Sequence, residues 1–183
     1  DLGAIDLNSQ LTKLGRKMAD LPLHPRYSRL LIEGDALGVL PYAALISALS
    51  QGRSIYRVAR QWNIRNEQIK QINEHTDERS DFFILIRAFE LAQEFNFNVL
   101  ECSKLGIQAS AARQVRSVYN QLLKYAKHLG LDTHAAALPD FQDRICRCIL
   151  VAFSDQICAR KDSGTRRCLL TKGRSGELSR ESV

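Results

Sequence analysis

The sequence predicts a mainly α-helical chain built around a helical bundle, with strand-like segments only near its two ends. Apolar residues recur three and four positions apart through most of the chain, which is the spacing of amphipathic helices. Proline and glycine divide this pattern into segments of helical length. Since 45% of the 183 residues are hydrophobic, the chain can also bury a core.

The N-terminal residues predict a strand-turn-helix unit. A turn at residues 8–10 precedes a helix over residues 13–20, and the Thr12 hydroxyl is placed to cap it. Pro25 suits the first position of a second helix, which would end near Gly38. This order fits the end of a winged-helix domain that docks onto a helical bundle.

The middle of the chain predicts one buried helix followed by a polar connector. Pro41 opens a helix of small and apolar residues that would be buried on most sides and would close at Gly52. Residues 51–80 are irregular and mildly basic, and we interpret Trp62 as a core residue. The basic residues of the connector are Arg53, Arg57, Arg60 and Arg65.

Four further helices and a hairpin are predicted after the connector, and the helix at residues 110–130 is described separately below. Ser80 can cap a helix that ends at residues 95–98, and a short helix is expected between Asn98 and Gly106. A later helix is expected to carry its apolar residues inward, and residues 168–174 predict a strand and turn, the partial β hairpin. The inward residues are Ile145, Ile149, Phe153 and Ile157.

The clearest helical pattern covers residues 110–130. Ser110 can cap its start, and Gly130 can adopt the left-handed conformation that ends helices. Its apolar face is predicted to consist of Ala112, Val115, Val118, Tyr119, Leu122, Ala126 and Leu129. A second narrow face, here called the basic strip, consists of Arg113, Arg116, Asn120, Lys124 and Lys127.

The basic strip has two interpretations. One is an ordinary solvated helix face, and the other is a contact surface for a phosphate backbone. No acid occurs between residues 102 and 127, although solvated helices normally carry acids one turn from their basic residues. That absence favours phosphate contacts, with Lys104 as a further, weaker candidate.

Composition bounds the function in other ways. The net charge of +6 is concentrated in basic blocks separated by acidic ones, which indicates a polyanionic partner contacted at defined places. Five cysteines without a secretory signal predict reduced thiols in the cytoplasm, and their spacing does not favour a metal site. The sequence has neither an apolar run of membrane-spanning length nor the catalytic motifs of nucleotide, serine or zinc hydrolases.

Residues 11–26, LTKLGRKMADLPLHPR, resemble the signature that follows the motor domains of DEAH-box ATP-dependent helicases. The preceding LGAID at residues 2–6 is similar to that family's LGALD, and residues 44–50 resemble its ALLS-type helix. Ser80-Asp81 and the stretch from Cys102 to Leu122 resemble later family segments, the latter only loosely around Tyr119 and Asn120. Residues 152–160, AFSDQICAR, resemble the bacterial HrpB-type branch, although Ala152 stands where that branch has glycine.

The resemblance implies three regions. These are the end of a winged-helix domain at residues 1–38, a helical ratchet-like domain at 39–162, and the start of an OB-like β domain, truncated here, at 163–183. We expect the chain to be part of a larger protein whose upstream motor domains bind ATP and magnesium. No cofactor is expected in this chain itself, and it carries no recognisable catalytic site.

These observations predict an accessory region that guides single-stranded RNA or DNA through non-specific backbone contacts. The predicted contact residues are Arg113, Arg116, Asn120, Lys124, Lys127 and Lys104. Two alternatives are a protein-interaction scaffold and a winged-helix nucleic-acid-binding regulator without ATPase activity. The regulator would need a complete helix-turn-helix before its wing, for which residues 1–10 leave no room.

Overall fold

The computed structural model describes residues 2–56, 68, 70–72, 80–134, 139–162 and 164–179, and it confirms the mainly α fold. Residues 68 and 70–72 are helical. The helices with defined bounds are α1 Lys13–Ala19, α2 Pro25–Ala36, α3 Leu40–Gln51, α4 Asp81–Glu94, α5 Val99–Lys104, α6 Ala109–His128 and α7 Phe141–Ala152. The strands are β1 Cys158–Arg160, β2 Arg167–Leu170 and β3 Ser175–Glu177.

The chain forms two compact units. The first combines Asp1–Ala44 with Leu122–Arg180, and the second comprises Leu45–Gln121 with Glu181–Val183. Helices α3 and α6 each contribute residues to both units. The three regions expected from the resemblance stay predictions.

The N-terminal turn of the first unit is tied to α1. Ile5 and Leu11 form an isolated antiparallel bridge, as expected for the turn between them. The Thr12 hydroxyl accepts a hydrogen bond from the Gly15 N–H at 2.9 Å, which confirms its capping role, and donates to the Gly3 carbonyl at 2.7 Å. Gly15 lies so close to Ala4 that an added Cβ would be 2.1 Å from the Ala4 oxygen. Any side chain at this position would therefore separate α1 from the turn.

The core of the first unit forms where α2 packs against α7. Pro25 occupies the first turn of α2 as predicted, and Leu30 and Leu31 on this helix are completely buried. Ile145 and Cys148 provide the buried residues of α7. These apolar side chains stabilise the unit because they are removed from water.

The C-terminal sheet has three strands where the sequence predicted a hairpin. β2 pairs antiparallel with both β1 and β3, giving the order β1-β2-β3. The extra strand arises because α7 ends at Ala152, so the chain is extended again by Cys158. The expectation that Ile157 points inward from a helix is therefore wrong, and its side chain is 44% exposed.

In the second unit, α4 and α5 are joined by a tight connection. Ser80 is the N-cap residue of α4, but its side chain makes no capping hydrogen bond. Asn96 and Phe97, just after α4, have φ values of 49° and 56°, a left-handed conformation that residues other than glycine rarely adopt. Asn98 then caps α5 by accepting hydrogen bonds from Leu100 and Glu101 N–H groups.

Some sequence predictions fall on residues that the structure does not describe. They are the core role of Trp62 and the basic character of the connector at Arg57, Arg60 and Arg65.

The predicted burial of the third helix is confirmed, because the residues from Leu40 to Leu49 are buried apart from the half-buried Tyr42.

Candidate nucleic-acid interface

Helix α6 carries the basic strip and has well-defined ends. It begins at Ala109, so Ser110 lies inside its first turn and is not the predicted cap. The preceding Gln108 instead donates its backbone N–H to the Ile55 carbonyl at 2.7 Å, which fixes where the helix starts. At the other end Gly130 has φ +74°, and the Leu131 N–H returns to the Ala126 carbonyl at 3.0 Å. A left-handed glycine followed by this backward hydrogen bond is the helix termination that the sequence predicted.

The opposite face of α6 is mostly buried, as the periodicity predicted. Val118 and Tyr119 are half-buried. Leu129 departs from the prediction: it follows the last helical residue and is 41% exposed. The fully buried members of this face are Ala112, Val115, Leu122 and Ala126.

All five side chains of the basic strip are exposed. The five residues lie along one continuous helix, α6. The helix therefore turns every predicted contact residue except Lys104 toward solvent.

The two arginines of the basic strip both engage Phe97. The Arg113 Nη2 donates a hydrogen bond of 2.7 Å to the Phe97 carbonyl oxygen. The guanidinium carbon of Arg116 lies 5.3 Å from the centre of the Phe97 ring, which is a cation–π distance. Both guanidiniums are thus held by one residue that lies outside α6.

Phe97 is itself tightly constrained. Its N–H donates to the Ala92 carbonyl at 2.7 Å, which completes the C-terminal cap of α4. Its ring is 3% exposed and meets Phe89 edge-on, with 6.3 Å between the ring centres. A left-handed backbone costs an ordinary residue about 1–2 kcal/mol, so these contacts must offset that strain.

The other three residues of the basic strip are unengaged within the part of the chain that the structure describes. No side-chain hydrogen bond or ion pair to Asn120, Lys124 or Lys127 occurs there. An exposed lysine in this state loses few protein contacts when it moves to a ligand phosphate.

Lys104 lies apart from the basic strip. It is on α5, where its ammonium is 2.8 Å from the Glu101 carboxylate oxygens. That ion pair is exposed and contributes little to stability, but it offsets the charge that Lys104 offers to a polyanion. Its place as the weaker candidate is consistent with this geometry.

The chemistry that the interface can supply is binding. Exposed guanidinium, ammonium and amide groups donate hydrogen bonds to phosphate oxygens without reading base identity. Across residues 2–56, 80–134 and the other described segments, no cluster of three or more potential metal ligands occurs. Burial raises the pKa of the Cys148 thiol to about 12, which keeps this cysteine protonated and unreactive.

A second contact connects residues from two of the sequence motifs described above. Arg26, which ends the N-terminal motif, makes a bidentate ion pair with Asp155 at 2.5 and 2.8 Å. The Arg26 guanidinium also lies 5.6 Å from the centre of the Phe153 ring. The hydrogen bond from Arg26 lowers the pKa of Asp155 to about 2. Both motif residues therefore have a structural role in the first unit.

Sequence reasoning missed the contacts of Phe97 with Arg113 and Arg116. The Asn96 that precedes it is a recognisable signal, since asparagine is the usual substitute for glycine at a helix end. No sequence feature relates Phe97 to two arginines 16 and 19 positions later, because that contact depends on how α4 and α6 pack.

Comparison with known proteins supports a helicase-associated region. Residues 1–23 match the helicase associated domain (HA2), winged-helix. This segment contains the Thr12 and Gly15 contacts that connect the N-terminal turn to α1.

Similar proteins carry the names of ATP-dependent RNA helicases. One is rha-2 of Caenorhabditis elegans, 28% identical over 90% of this chain and 16% of its own length. Another is PB1A10.06c of Schizosaccharomyces pombe, 39% identical over 49% of this chain and 9% of its own. DHX35 of Pongo abelii is 22% identical over 92% of this chain and 23% of its own. The chain thus spans less than a quarter of the length of each.

These matches agree with the motif resemblance, since the chain is similar to a helicase-associated domain and to proteins named ATP-dependent RNA helicases. Within the described residues, no helix is long and apolar enough to cross a membrane.

Proposed function

We propose that this chain is an accessory region of an ATP-dependent RNA helicase that guides single-stranded RNA through non-specific phosphate contacts. The observation that carries the proposal is the basic strip. It presents four cationic side chains on one exposed helix face, with no acidic residue among them. The names of the similar proteins favour RNA over DNA as the polynucleotide.

In this proposal the motor activity belongs to other domains of the same protein. Those domains would bind ATP and magnesium and would move the strand past the basic strip. The bacterial HrpB-type branch stays a finer proposal, based on residues 152–160. We also propose a cytoplasmic location, because the five cysteines occur without a secretory signal.

The first test reverses the two unengaged lysines with Lys124→Glu and Lys127→Glu in the 183-residue chain. Each phosphate contact on a single strand contributes about 0.7 to the slope of log affinity against log salt. We expect weaker binding to a fluorescein-labelled oligouridylate, with a salt slope lower by about one to two units. Fluorescence anisotropy over a salt series measures both quantities.

The matched control places the same charge change on α1 with Arg16→Glu and Lys17→Glu. Both residues are exposed and lie in the last turn of that helix. If the two pairs cause equal losses, the binding is diffuse electrostatics and the proposal is wrong. A parallel titration with oligodeoxythymidylate compares DNA with RNA.

The alternative is a protein-interaction scaffold. It predicts no salt-dependent binding of either oligonucleotide by the unaltered chain, so the same titration separates the two functions. Val99 and Leu100, at the start of α5, are among the exposed apolar side chains that such a scaffold could offer to a protein partner.

A further inference from the structure

We propose that Phe97 is a positioning residue that holds Arg113 and Arg116 in place for backbone phosphates. The inference rests on the function proposed above and assigns a role to a residue that lies outside the basic strip. Phe97 would act through the arginines without touching the nucleic acid, since its own ring is buried.

Phe97 makes two separate contacts with the basic strip. Its carbonyl oxygen accepts the 2.7 Å hydrogen bond from Arg113, and its ring lies 5.3 Å from the guanidinium carbon of Arg116. One residue therefore restrains two guanidiniums that lie one helical turn apart.

Phe97 can restrain them because it is fixed on both sides. The cap of α4 holds its N–H, and the following Asn98 is held in turn as the cap of α5. Its φ of 56° places a carbonyl just beyond the end of α4, where Arg113 reaches it. The edge contact with Phe89 then holds the ring.

The restrained arginines keep donors for a ligand. A guanidinium has five N–H groups, and the Phe97 carbonyl accepts a hydrogen bond from one of those of Arg113, whereas the cation–π contact of Arg116 is not a hydrogen bond. Because both side chains are exposed, the remaining donors can meet phosphate oxygens. Ordering a long side chain opposes binding, so arginines that are already ordered bind more tightly.

This arrangement divides the basic strip by function. Arg113 and Arg116 form a preorganised end, whereas Lys124 and Lys127 have no partner in the described segments and form an adjustable end. Positive charge attracts phosphates at both ends of the basic strip, whereas preordered side chains contribute only at the end formed by Arg113 and Arg116.

The test is Phe97→Leu in the 183-residue chain, which removes the ring and keeps the backbone carbonyl. We expect oligouridylate affinity to fall about three- to tenfold, the range for losing the preorganisation of one or two side chains. The salt slope should not change, because every charge remains. Tyr27→Leu is the control: it removes a ring that makes the same kind of edge contact, with Phe153 in the first unit, and it leaves Phe97 and both arginines unaltered, so affinity should be retained.

A charge-conserving pair tests the same hold from the arginine side. Arg116→Lys should weaken binding because an ammonium does not stack as a planar guanidinium does, whereas Arg16→Lys, at an exposed position of α1 outside the basic strip, should not weaken it. Combining Phe97→Leu with Arg116→Lys should cost no more than the larger single change, since the ring acts through Arg116.

Unchanged affinity in Phe97→Leu, an equal loss in Tyr27→Leu or additive losses in the double variant would each overturn the positioning role. If circular dichroism shows that Phe97→Leu is unfolded, the comparison of Arg116→Lys with Arg16→Lys decides, and equal affinities overturn the role. Failure of the proposed function gives a different result, because the unaltered chain would then show no salt-dependent binding.

Discussion

The ion pair between Arg26 and Asp155 illustrates how single residues hold the first unit together. The two side chains are 129 positions apart and meet through two parallel hydrogen bonds, a geometry that arginine and a carboxylate can form and lysine cannot. The Asp155 backbone carbonyl also accepts a hydrogen bond from the Thr171 hydroxyl at 2.7 Å. Asp155 therefore contacts both α2 and the turn between β2 and β3.

The low pKa of Asp155 predicts an acid-dependent contribution to stability. A carboxyl with a lower pKa in the folded state stabilises the fold fully above its unfolded pKa of 3.8. This stabilisation is lost as the pH falls toward the folded value of about 2. We expect Asp155→Asn to be less stable than the unaltered chain near pH 7, with the difference narrowing between about pH 4 and pH 2.

Urea unfolding across a pH series measures this difference. The control is Asp162→Asn, which replaces an exposed acid just beyond β1. For this variant we expect no stability difference from the unaltered chain that narrows between about pH 4 and pH 2. A stability difference that is independent of pH would mean that Arg26 does not stabilise the charged form of Asp155.

At the scale of elements, the N-terminal motif can be explained by contacts. Thr12 serves α1 as cap and the preceding turn as donor, and Gly15 leaves room for the Ala4 carbonyl. Threonine and glycine three positions apart are thus required by two different constraints at one end of the same short helix.

Gly15→Ala should destabilise the chain although alanine is the better helix former. The added Cβ would lie 2.1 Å from the Ala4 oxygen, so the turn must move away from α1. Overpacking of this kind costs about 1–3 kcal/mol, more than the roughly 1 kcal/mol that alanine gains over glycine in a helix. Chemical denaturation provides the free energy of unfolding.

Gly52→Ala is the matched control for this substitution. Its Cβ would meet its nearest neighbour, the Ala48 carbonyl oxygen, at 3.6 Å, which is ordinary contact. Equal stability of the two variants would show that the turn can shift away from α1 without cost.

The sequence predicted the elements better than the contacts between them. Periodicity gives the buried and exposed faces of α6, because side-chain direction along a helix follows from residue number alone. The end at Gly130 was predictable for the same local reason. The start at Ala109 was not, because it depends on the Ile55 carbonyl, 53 positions before Gln108.

The candidate site follows the same rule. The exposure of Arg113, Arg116, Asn120, Lys124 and Lys127 could be predicted from the helix pattern. That only the two arginines are held by Phe97 could not, since it depends on the left-handed backbone after α4 and on tertiary packing. The ion pair between α2 and Asp155 was unpredictable for the same reason, although both residues had been noted in motifs.

For the whole molecule, the sequence predicts binding without nucleotide turnover. No phosphate-binding glycine-rich loop with its lysine occurs in the 183 residues. We expect no ATP hydrolysis above a buffer blank, with or without oligouridylate, in a coupled phosphate-release assay. Turnover that persists through repeated purification and gel filtration would contradict this expectation.

The division into two units also affects the order in which parts of the chain can fold during synthesis on the ribosome. The second unit draws its described residues from one uninterrupted stretch, Leu45–Gln121, whereas the first unit needs segments from both sides of it. Helix α2 emerges early but must wait for α7 and Asp155 before its apolar face and Arg26 find their partners. Until then α2 lacks the helix against which it packs most extensively, so the stretch Leu45–Gln121 can complete its core before the first unit is closed.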